Sequence, residues 1–228
     1  MKLRFLGTGA ADFDITKPSA DINFRRFSSL LINDDLLVDP GPCIFEFADT
    51  FAMPWLYDNV KTVLNTHPHS DHFSAESAAR LGLEKLVQPD IFSERDIGGY
   101  RITTLPANHE TSVAAKHFII EDKNDGKTIF YGCDGAWLPY LTYREIMKHH
   151  FDLMIFDGTI GEIDGDYRIF EHNNIRMVAE MKKTLSSNCG RFMISHLART
   201  LHGTHAEAVE ICKKYGIEVA RDNLILDI

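Results

Sequence analysis

The sequence lacks the marks of disulfide-stabilised, membrane-spanning and secreted proteins. Its four cysteines are scattered without a Cys-X-X-Cys pair, so the sequence indicates neither a disulfide framework nor a thiolate zinc site. No apolar run approaches the length needed to cross a bilayer. The first residues, Met1 to Gly7, lack the apolar segment of a secretory signal. We therefore expect a cytoplasmic protein that does not associate with membranes.

Positive charge is also scarce. The 228 residues contain 24 lysines and arginines against 33 acidic residues, which gives a net charge of -9. This balance argues against a large nucleic-acid footprint. A dinucleotide fingerprint is missing too, because Asp12 stands where the third glycine after Gly7 and Gly9 should be.

Apolar residues, in contrast, are plentiful. They make up 44% of the chain and include 15 phenylalanines, enough for a sizeable core. Predicted strands come first in hairpins and later alternate with helices, which indicates a layered α/β fold. We expect residues 1–228 to form one domain. The predicted elements include a helix over 138–150 and a hairpin with strands over 113–121 and 127–131, in which His117 is exposed.

The stretch from Thr66 to His72 concentrates potential metal ligands. Its proline forbids a helix and favours extended backbone before it. Because side chains alternate in an extended segment, we expect His67, His69 and Asp71 to share one face. His72 breaks this alternation, as a turn would. Two histidines on one face suit one metal ion, and an aspartate and a histidine at the bend suit a second.

Further candidate ligands follow predicted strands later in the chain. His109, Asp134 and His196 each come directly after such a segment. Side chains at strand ends along one sheet edge can meet although they are distant in sequence. Together with the earlier stretch they supply seven imidazole and carboxylate ligands. This number is too large for one tetrahedral ion but suits two ions, especially if one carboxylate bridges them.

Other polar residues have two interpretations each. Arg25 and Arg26 either bind a phosphate or stabilise the entrance of a strand. Asp39 either supports the metal ligands through hydrogen bonds or caps a turn. His202 and His205 are candidates for the mouth of the site, although a place in the first turn of a helix is explanation enough for His205.

The segment His67-Pro68-His69-Ser70-Asp71-His72 resembles the HxHxDH signature of the metallo-β-lactamase fold, and its spacing is highly specific. His109 in a loop, Asp134 in Gly-Cys-Asp-Gly and His196 in Ile-Ser-His-Leu follow in that family's order, so the resemblance covers essentially the whole chain. It implies a four-layer αββα sandwich of two similar halves with a dinuclear centre at one edge. It assigns one ion to His67, His69 and His109, the other to Asp71, His72 and His196, and the bridge to Asp134.

Within this fold the chain is similar to the branch of tRNA 3′-processing endonucleases and of the cyclic-phosphate phosphodiesterase of phosphonate breakdown. Arg25-Arg26 before Ser28-Ser29, and then Asp39-Pro40-Gly41-Pro42, resemble the second enzyme's N-terminal half. His172 lies where that enzyme carries a catalytic histidine. The chain departs from it between Ala11 and Phe24, where the cysteine-rich zinc loop is missing, and it lacks the Gly/Pro-rich arm that grips tRNA.

The resemblance implies hydrolysis of a small cyclic or simple phosphodiester by a hydroxide that bridges two ions, Zn or Mn or alternatively Fe. His172 and Asp71 are the candidate catalytic residues. His172 is the candidate general acid, and it needs an anionic neighbour because a helix N-terminus lowers an imidazole pKa. Alternatives are a lactone or thioester hydrolase of the same fold and a non-catalytic metal-binding domain. A homodimer is also possible.

Overall fold

The computed structural model describes the backbone of residues 1–228 and every side chain except that of Thr111. Two mixed sheets contain its strands. The first sheet comprises β1 (Lys2–Gly7), β2 (Ser29–Ile32), β3 (Leu36–Val38), β4 (Thr62–Leu64), β5 (Leu86–Val87) and β13 (Ile225–Asp227). Their order is β13-β1-β2-β3-β4-β5, antiparallel from β13 to β3 and parallel from β3 to β5.

The second sheet is built mainly from the second half of the chain. It comprises β6 (Glu94–Ile97), β7 (Tyr100–Pro106), β8 (Lys116–Asp122), β9 (Thr128–Gly132), β10 (Leu153–Asp157), β11 (Phe192–Ser195) and β12 (Glu218–Val219). The order is β12-β11-β10-β9-β8-β7-β6, parallel from β12 to β9 and antiparallel beyond. Each sheet therefore joins a parallel part to an antiparallel part, as two similar halves would.

Helices cover the outer faces of both sheets. They are α1 (Ile44–Thr50), α2 (Ala75–Leu81), α3 (Tyr140–Ile146), α4 (Ile175–Leu185) and α5 (His205–Lys213). One apolar cluster packs α1 and the end of α2 on the first sheet, and another packs α3, α4 and α5 on the second. A third cluster fills the space between the sheets. This arrangement is the predicted αββα sandwich.

Alternation along the strands produces these layers. In β8, Phe118 and Ile120 enter the core between the sheets, whereas Ile119 faces the helices. Local signals set several boundaries as predicted: the Ser74 side chain accepts a hydrogen bond from the Ser77 N–H at the start of α2, and Asn33 with a φ of 48° begins the β2–β3 hairpin turn. In the part of the chain that the structure describes, no helix has both the length and the apolar character of a membrane span.

Two predicted elements are wrong in extent and one strand was not predicted. The helix expected over 138–150 is only α3, because Pro139 occupies its N-cap and the chain leaves the helix after Ile146. The strand expected over 113–121 begins at Lys116. The unpredicted strand is β6, whose charged Glu-Arg-Asp-Ile sequence lacks apolar alternation but suits the edge of a sheet.

Candidate metal centre

Strand ends bring the predicted ligands to one edge of the sandwich. The His67–His72 motif begins three residues after Leu64, the last residue of β4, and residues 67–69 lie outside any helix, strand or turn. There the His72 N–H donates to the His69 carbonyl over 3.0 Å, which closes a turn. This turn separates His67 and His69 from Asp71 and His72, so the expectation that Asp71 shares a face with the first two histidines is not met.

The first group of ligand atoms gathers around the Oδ2 atom of Asp134. It consists of His67, His69, His109 and Asp134, whose candidate atoms all lie within 4.8 Å of one another. His67 Nε2 is 3.1 Å from Asp134 Oδ2 and 2.9 Å from His69 Nδ1. His109 Nε2 is 3.1 Å from the same His69 nitrogen. Three imidazole nitrogens and one carboxylate oxygen thus converge as a four-ligand set.

A second group shares the same oxygen atom. It consists of Asp71, His72, His196 and Asp134, again within 4.8 Å of one another. Asp134 Oδ2 lies 3.3 Å from His72 Nε2. The imidazoles of His72 and His196 face each other, with 3.2 Å between their Nε2 atoms. Asp71 Oδ2 is 3.5 Å from each of these nitrogens. Asp134 is therefore the only residue common to the two groups, as a bridging carboxylate would be.

Hydrogen bonds on the outer side of each ring show that the groups suit cations. Every imidazole of the two groups has its other nitrogen next to an oxygen atom, which fixes the N–H on the outside and leaves a lone pair directed inward. These pairs are His67 with Thr66 Oγ1 (3.0 Å), His69 with Glu110 Oε2 (3.0 Å), His72 with Asp39 Oδ2 (2.9 Å), His109 with the Glu171 carbonyl (3.3 Å) and His196 with Thr159 Oγ1 (2.8 Å). Lone pairs 2.9 to 3.2 Å apart repel one another unless a cation or proton lies between them.

Electrostatics favour positive charge at this point. Burial raises the pKa of the Asp134 carboxyl, but His196, His172 and His67 oppose it and hold that pKa well below its usual range. Burial lowers the pKa of His196, and Asp134 and Asp157 overcome this effect and raise it to about 9. The carboxylates therefore stay ionised at neutral pH and stabilise positive charge, carried either by protons or by bound cations.

Backbone strain accompanies three residues of the site. Asp39, Asp134 and His196 have φ angles of 61°, 59° and 60°, in the left-handed region. Aspartate and histidine tolerate this region better than most residues, at a cost of about 1–3 kcal/mol each. The angles turn each chain segment sharply after its strand. Gly41 allows the same crowding, because an added Cβ would lie 2.6 Å from the Asp71 carbonyl oxygen.

No protein-family model matches the sequence, and a comparison with curated proteins finds no match either. Solved structures, however, match over the whole length. The metallo-beta-lactamase fold protein YhfI from Bacillus subtilis superposes with a TM-score of 0.75 at 18% identity, with 99% of each chain covered. The chain has the metallo-β-lactamase fold. A diphosphatase from the PhnP family gives 0.71 at 16% identity, covering 100% of this chain and 97% of its own. Zn(2+)-bound PqqB from Methylobacterium extorquens gives 0.71 at 16%, with 100% of each chain.

Asp157 was not predicted as part of the site. It ends β10, is fully buried, and its Oδ2 lies 2.9 Å from the Nδ1 atom of His172. Asp134 Oδ1 lies 3.0 Å from the same nitrogen. Burial lowers the pKa of His172, but these two carboxylates outweigh it and raise the pKa to about 11. They are the anionic neighbours that a general acid at this position requires. Asp157 could have been found, because it repeats the strand-end context of Asp134.

A cavity of about 280 Å³ opens over the two groups. His172, Asp71 and His69 line it, and so does the loop that carries Asp12. The metallo-β-lactamase fold thus places both candidate catalytic residues at one opening.

Four other candidates lie outside this cavity. Arg25 and Arg26 are buried in protein: Arg25 binds Thr8 and the Ala220 carbonyl, and Arg26 binds Glu46 and Asp222. His202 donates to the Gly158 carbonyl, and His205 accepts from Arg25. All four have protein partners, so the geometry favours the structural interpretation for each.

Two further interpretations are settled by position. Asp39 supports the ligand loop: besides His72 it accepts the Thr66 N–H over 2.7 Å. The expectation that His117 is exposed is wrong. It is 1% exposed, because β8 is flanked on both sides by strands and this side chain points toward Phe130 on the helix-covered face. Burial lowers its pKa to about 4, since no carboxylate touches the ring among the described side chains.

Proposed function

We propose that the protein is a dinuclear metal-dependent phosphodiesterase acting on a small cyclic or simple phosphodiester. One observation carries the proposal: two four-ligand groups share the Oδ2 atom of Asp134 and line a common cavity. Two cations placed this way are the usual means of hydrolysing phosphate esters. In the metallo-β-lactamase fold the same arrangement also serves other esters, so the substrate class must be tested separately.

Seven residues would hold the metal pair. His67, His69 and His109 are the proposed ligands of one ion, Asp71, His72 and His196 those of the other, and Asp134 would be shared by both. Mixed nitrogen and oxygen ligands suit Zn or Mn, and also Fe. When bound, such ions lower the pKa of water toward neutrality and neutralise charge on phosphoryl oxygens.

His172 is the proposed proton donor to the leaving oxygen. Its Nδ1 atom is held by Asp157 over 2.9 Å and lies 3.0 Å from Asp134 Oδ1, so the Nε2–H is the group left to face a substrate in the cavity. Asp157 fixes the ring orientation and stabilises the imidazolium until the proton is transferred. Asp157 is itself held by the N–H groups of Thr159 and Asn173, over 2.9 and 3.1 Å.

Charge and size support a small phosphodiester. The cavity of about 280 Å³ has room for a small molecule and not for a folded nucleic acid. A net charge of -9 disfavours a long polyanion, whereas the metal pair would attract a single phosphate locally. The diphosphatase from the PhnP family, which shares the fold, is described as an enzyme of phosphate compounds.

A substrate panel tests the proposal. Purified protein is loaded with Mn or Zn and offered bis(p-nitrophenyl) phosphate, a lactone and a thioester in parallel. We expect metal-dependent turnover of the phosphodiester well above that of the carbon esters. Preferred hydrolysis of the lactone or thioester would replace the proposed activity by the other ester chemistry. A metal-loaded protein that is inert toward all three would indicate a binding domain.

A further inference from the structure

The cavity has one guanidinium group at its rim. Among the described residues that line it, Arg168 is the only lysine or arginine, whereas Asp12, Asp71, Asp134 and Glu171 are acidic. An anionic substrate therefore meets a single guanidinium group in addition to the proposed ions. Arg168 belongs to the short 3-10 helix Tyr167–Phe170 between β10 and α4.

Asp166 fixes the position of this guanidinium. Arg168 Nε and Nη2 donate to the two oxygens of Asp166, each over 2.8 Å. The pairing with Asp166 uses the Nε–Nη2 edge of the planar guanidinium group, so the N–H groups of Nη1 remain available to another acceptor. Phosphate oxygens match such a fork well. The Arg168 side chain is 29% exposed, so it remains accessible while being held.

The same short helix is tied to the proposed acid. The His172 N–H donates to the Arg168 carbonyl over 2.8 Å, and the Glu171 N–H donates to it over 2.9 Å. A substrate anion bound by Arg168 is therefore positioned by the segment that also positions His172. Both side chains line the cavity.

Two aromatic side chains flank Arg168 and have little protein contact. Tyr167 is 78% exposed and Phe170 is 75% exposed. Leaving large rings in water forgoes the stabilisation that their burial would give. Neither ring lines the cavity itself, so a substituent would reach them only by extending outward past Arg168. Exposed aromatic side chains of proteins stack on planar groups such as nucleobases.

We propose that Tyr167, Arg168 and Phe170 form a substrate-recognition segment, in which Arg168 binds a phosphoryl oxygen and the two rings stack on a planar aromatic substituent of the ester. The inference rests on the proposed function and narrows it. It selects phosphodiesters with a base-like or aryl group next to the phosphate over purely aliphatic ones. Arg168 and the rings contact substrate in this scheme, while bond cleavage is left to the residues described above.

Two chromogenic substrates with the same leaving group test the segment. Bis(p-nitrophenyl) phosphate carries a second ring, and methyl p-nitrophenyl phosphate does not. For Arg168→Gln we expect KM to rise about tenfold for both substrates with little change in kcat, as for the loss of a charge-assisted hydrogen bond. Arg168→Lys should recover part of this affinity. Arg176→Gln is the matched control, because Arg176 pairs with Asp164 on the surface, away from the cavity.

The rings are tested with the double variant Tyr167→Ala/Phe170→Ala. We expect KM to rise about tenfold for the diaryl ester, consistent with lost stacking, and to change little for the methyl ester. Tyr140→Ala is the control, since Tyr140 is a 70% exposed ring on α3, outside the segment that carries Arg168. An unchanged KM in Arg168→Gln, or equal effects of the double variant on both esters, would overturn the inference.

A binding measurement distinguishes failure of the proposed function from failure of the recognition segment. If the wild-type protein cleaves neither ester, the phosphodiesterase proposal falls, and calorimetry of the metal-loaded protein with phenyl phosphate and methyl phosphate tests the segment instead. Tighter binding of phenyl phosphate that is lost in the double variant supports the recognition segment. Equal affinity for the two phosphates in the wild type contradicts it.

Discussion

Two clusters of buried charged and titratable residues in this molecule differ in the kind of contact that they make. One is the arginine cluster, in which Arg26 is 1% exposed and donates to Glu46 and Asp222. The other is the histidine–carboxylate cluster around Asp134, which is 3% exposed. In the arginine cluster each contact joins a donor to an acceptor. In the histidine cluster acceptor atoms face one another across 2.9 to 3.2 Å.

The difference teaches how to separate a structural from a functional cluster. The arginine cluster is complete within the protein and lies away from the cavity over the ligand groups. The histidine cluster is complete only when something positive occupies its centre, and it opens to that cavity. Burial alone does not decide the matter, since His117 is also buried but has no hydrogen-bond partner among the described side chains and does not line the cavity. Unmatched acceptors beside a cavity are the informative feature.

The largest effect is expected from removing a ligand. His67→Ala takes one imidazole from the group whose nitrogens converge on Asp134 Oδ2, so we expect loss of the ion. Activity should fall by about a thousandfold or more, because a catalytic ion contributes several kcal/mol to the transition state. Metal content and hydrolysis rate are measured together, with far-UV circular dichroism to check folding. His202→Ala, which removes an imidazole outside the cavity, is the control and should keep its metal. An equal loss of metal in both variants would contradict the distinction between a structural and a functional cluster.

A second change leaves the proposed metal ligands in place and removes the proposed proton donor. For His172→Ala we expect turnover of esters with poor leaving groups to fall about 10²–10⁴-fold, the range of general acid catalysis, with metal content unchanged. An ester with a good leaving group needs less protonation and should lose less. His149→Ala, at the end of the segment after α3, serves as the control. Full turnover of His172→Ala on every ester would remove the assigned role.

A third change removes a carboxylate that supports the His67–His72 loop through hydrogen bonds. Asp39→Asn replaces the carboxylate that accepts from His72 and from the Thr66 N–H. We expect metal affinity to fall about 10–100-fold, as for other residues that orient a ligating histidine. Competition with a chelator measures the affinity. An unchanged metal affinity would show that Asp39 only caps a turn and does not support the metal ligands.

The smallest effect on chemistry belongs to the arginine cluster. Arg26→Met leaves Glu46 and Asp222 without their partner, so we expect the free energy of unfolding to fall by about 3–5 kcal/mol while folded molecules keep their metal. Arg191→Met breaks an exposed pair with Glu218 and should cost below about 1 kcal/mol. Urea denaturation gives both values. Metal loss in folded Arg26→Met would show that the clusters are not independent.

Local signals in the sequence were enough for much of the fold and for placing the candidate ligands at one edge of it. The His67–His72 spacing, the Ser74 cap and the Asn33 turn are set by neighbouring residues, and strand ends carried His109 and Asp134 to the same edge. These features depend on contacts within a few residues or on strand order. They could therefore be recognised without coordinates.

Features that depend on contacts between distant parts of the chain could not be recognised from the sequence. Arg26 meets Asp222 only because both ends of the chain join the first sheet, and His117 is buried only because β8 has strands on each side. The strand-end position of Asp157 was visible in the sequence, but its contact with His172, fifteen residues later, was not. In each case the missing information was which segments pack together.

The number of metal ions per chain tests the central claim most directly. Protein stripped with a chelator, reloaded with Zn and desalted is examined by elemental analysis, together with His196→Ala and Asp134→Ala. Two ligand groups that share Asp134 predict two ions in the wild type, one in His196→Ala and a loss at both positions in Asp134→Ala. A wild-type protein that retains no ion, or an Asp134→Ala protein that still holds two, would contradict the shared two-ion centre.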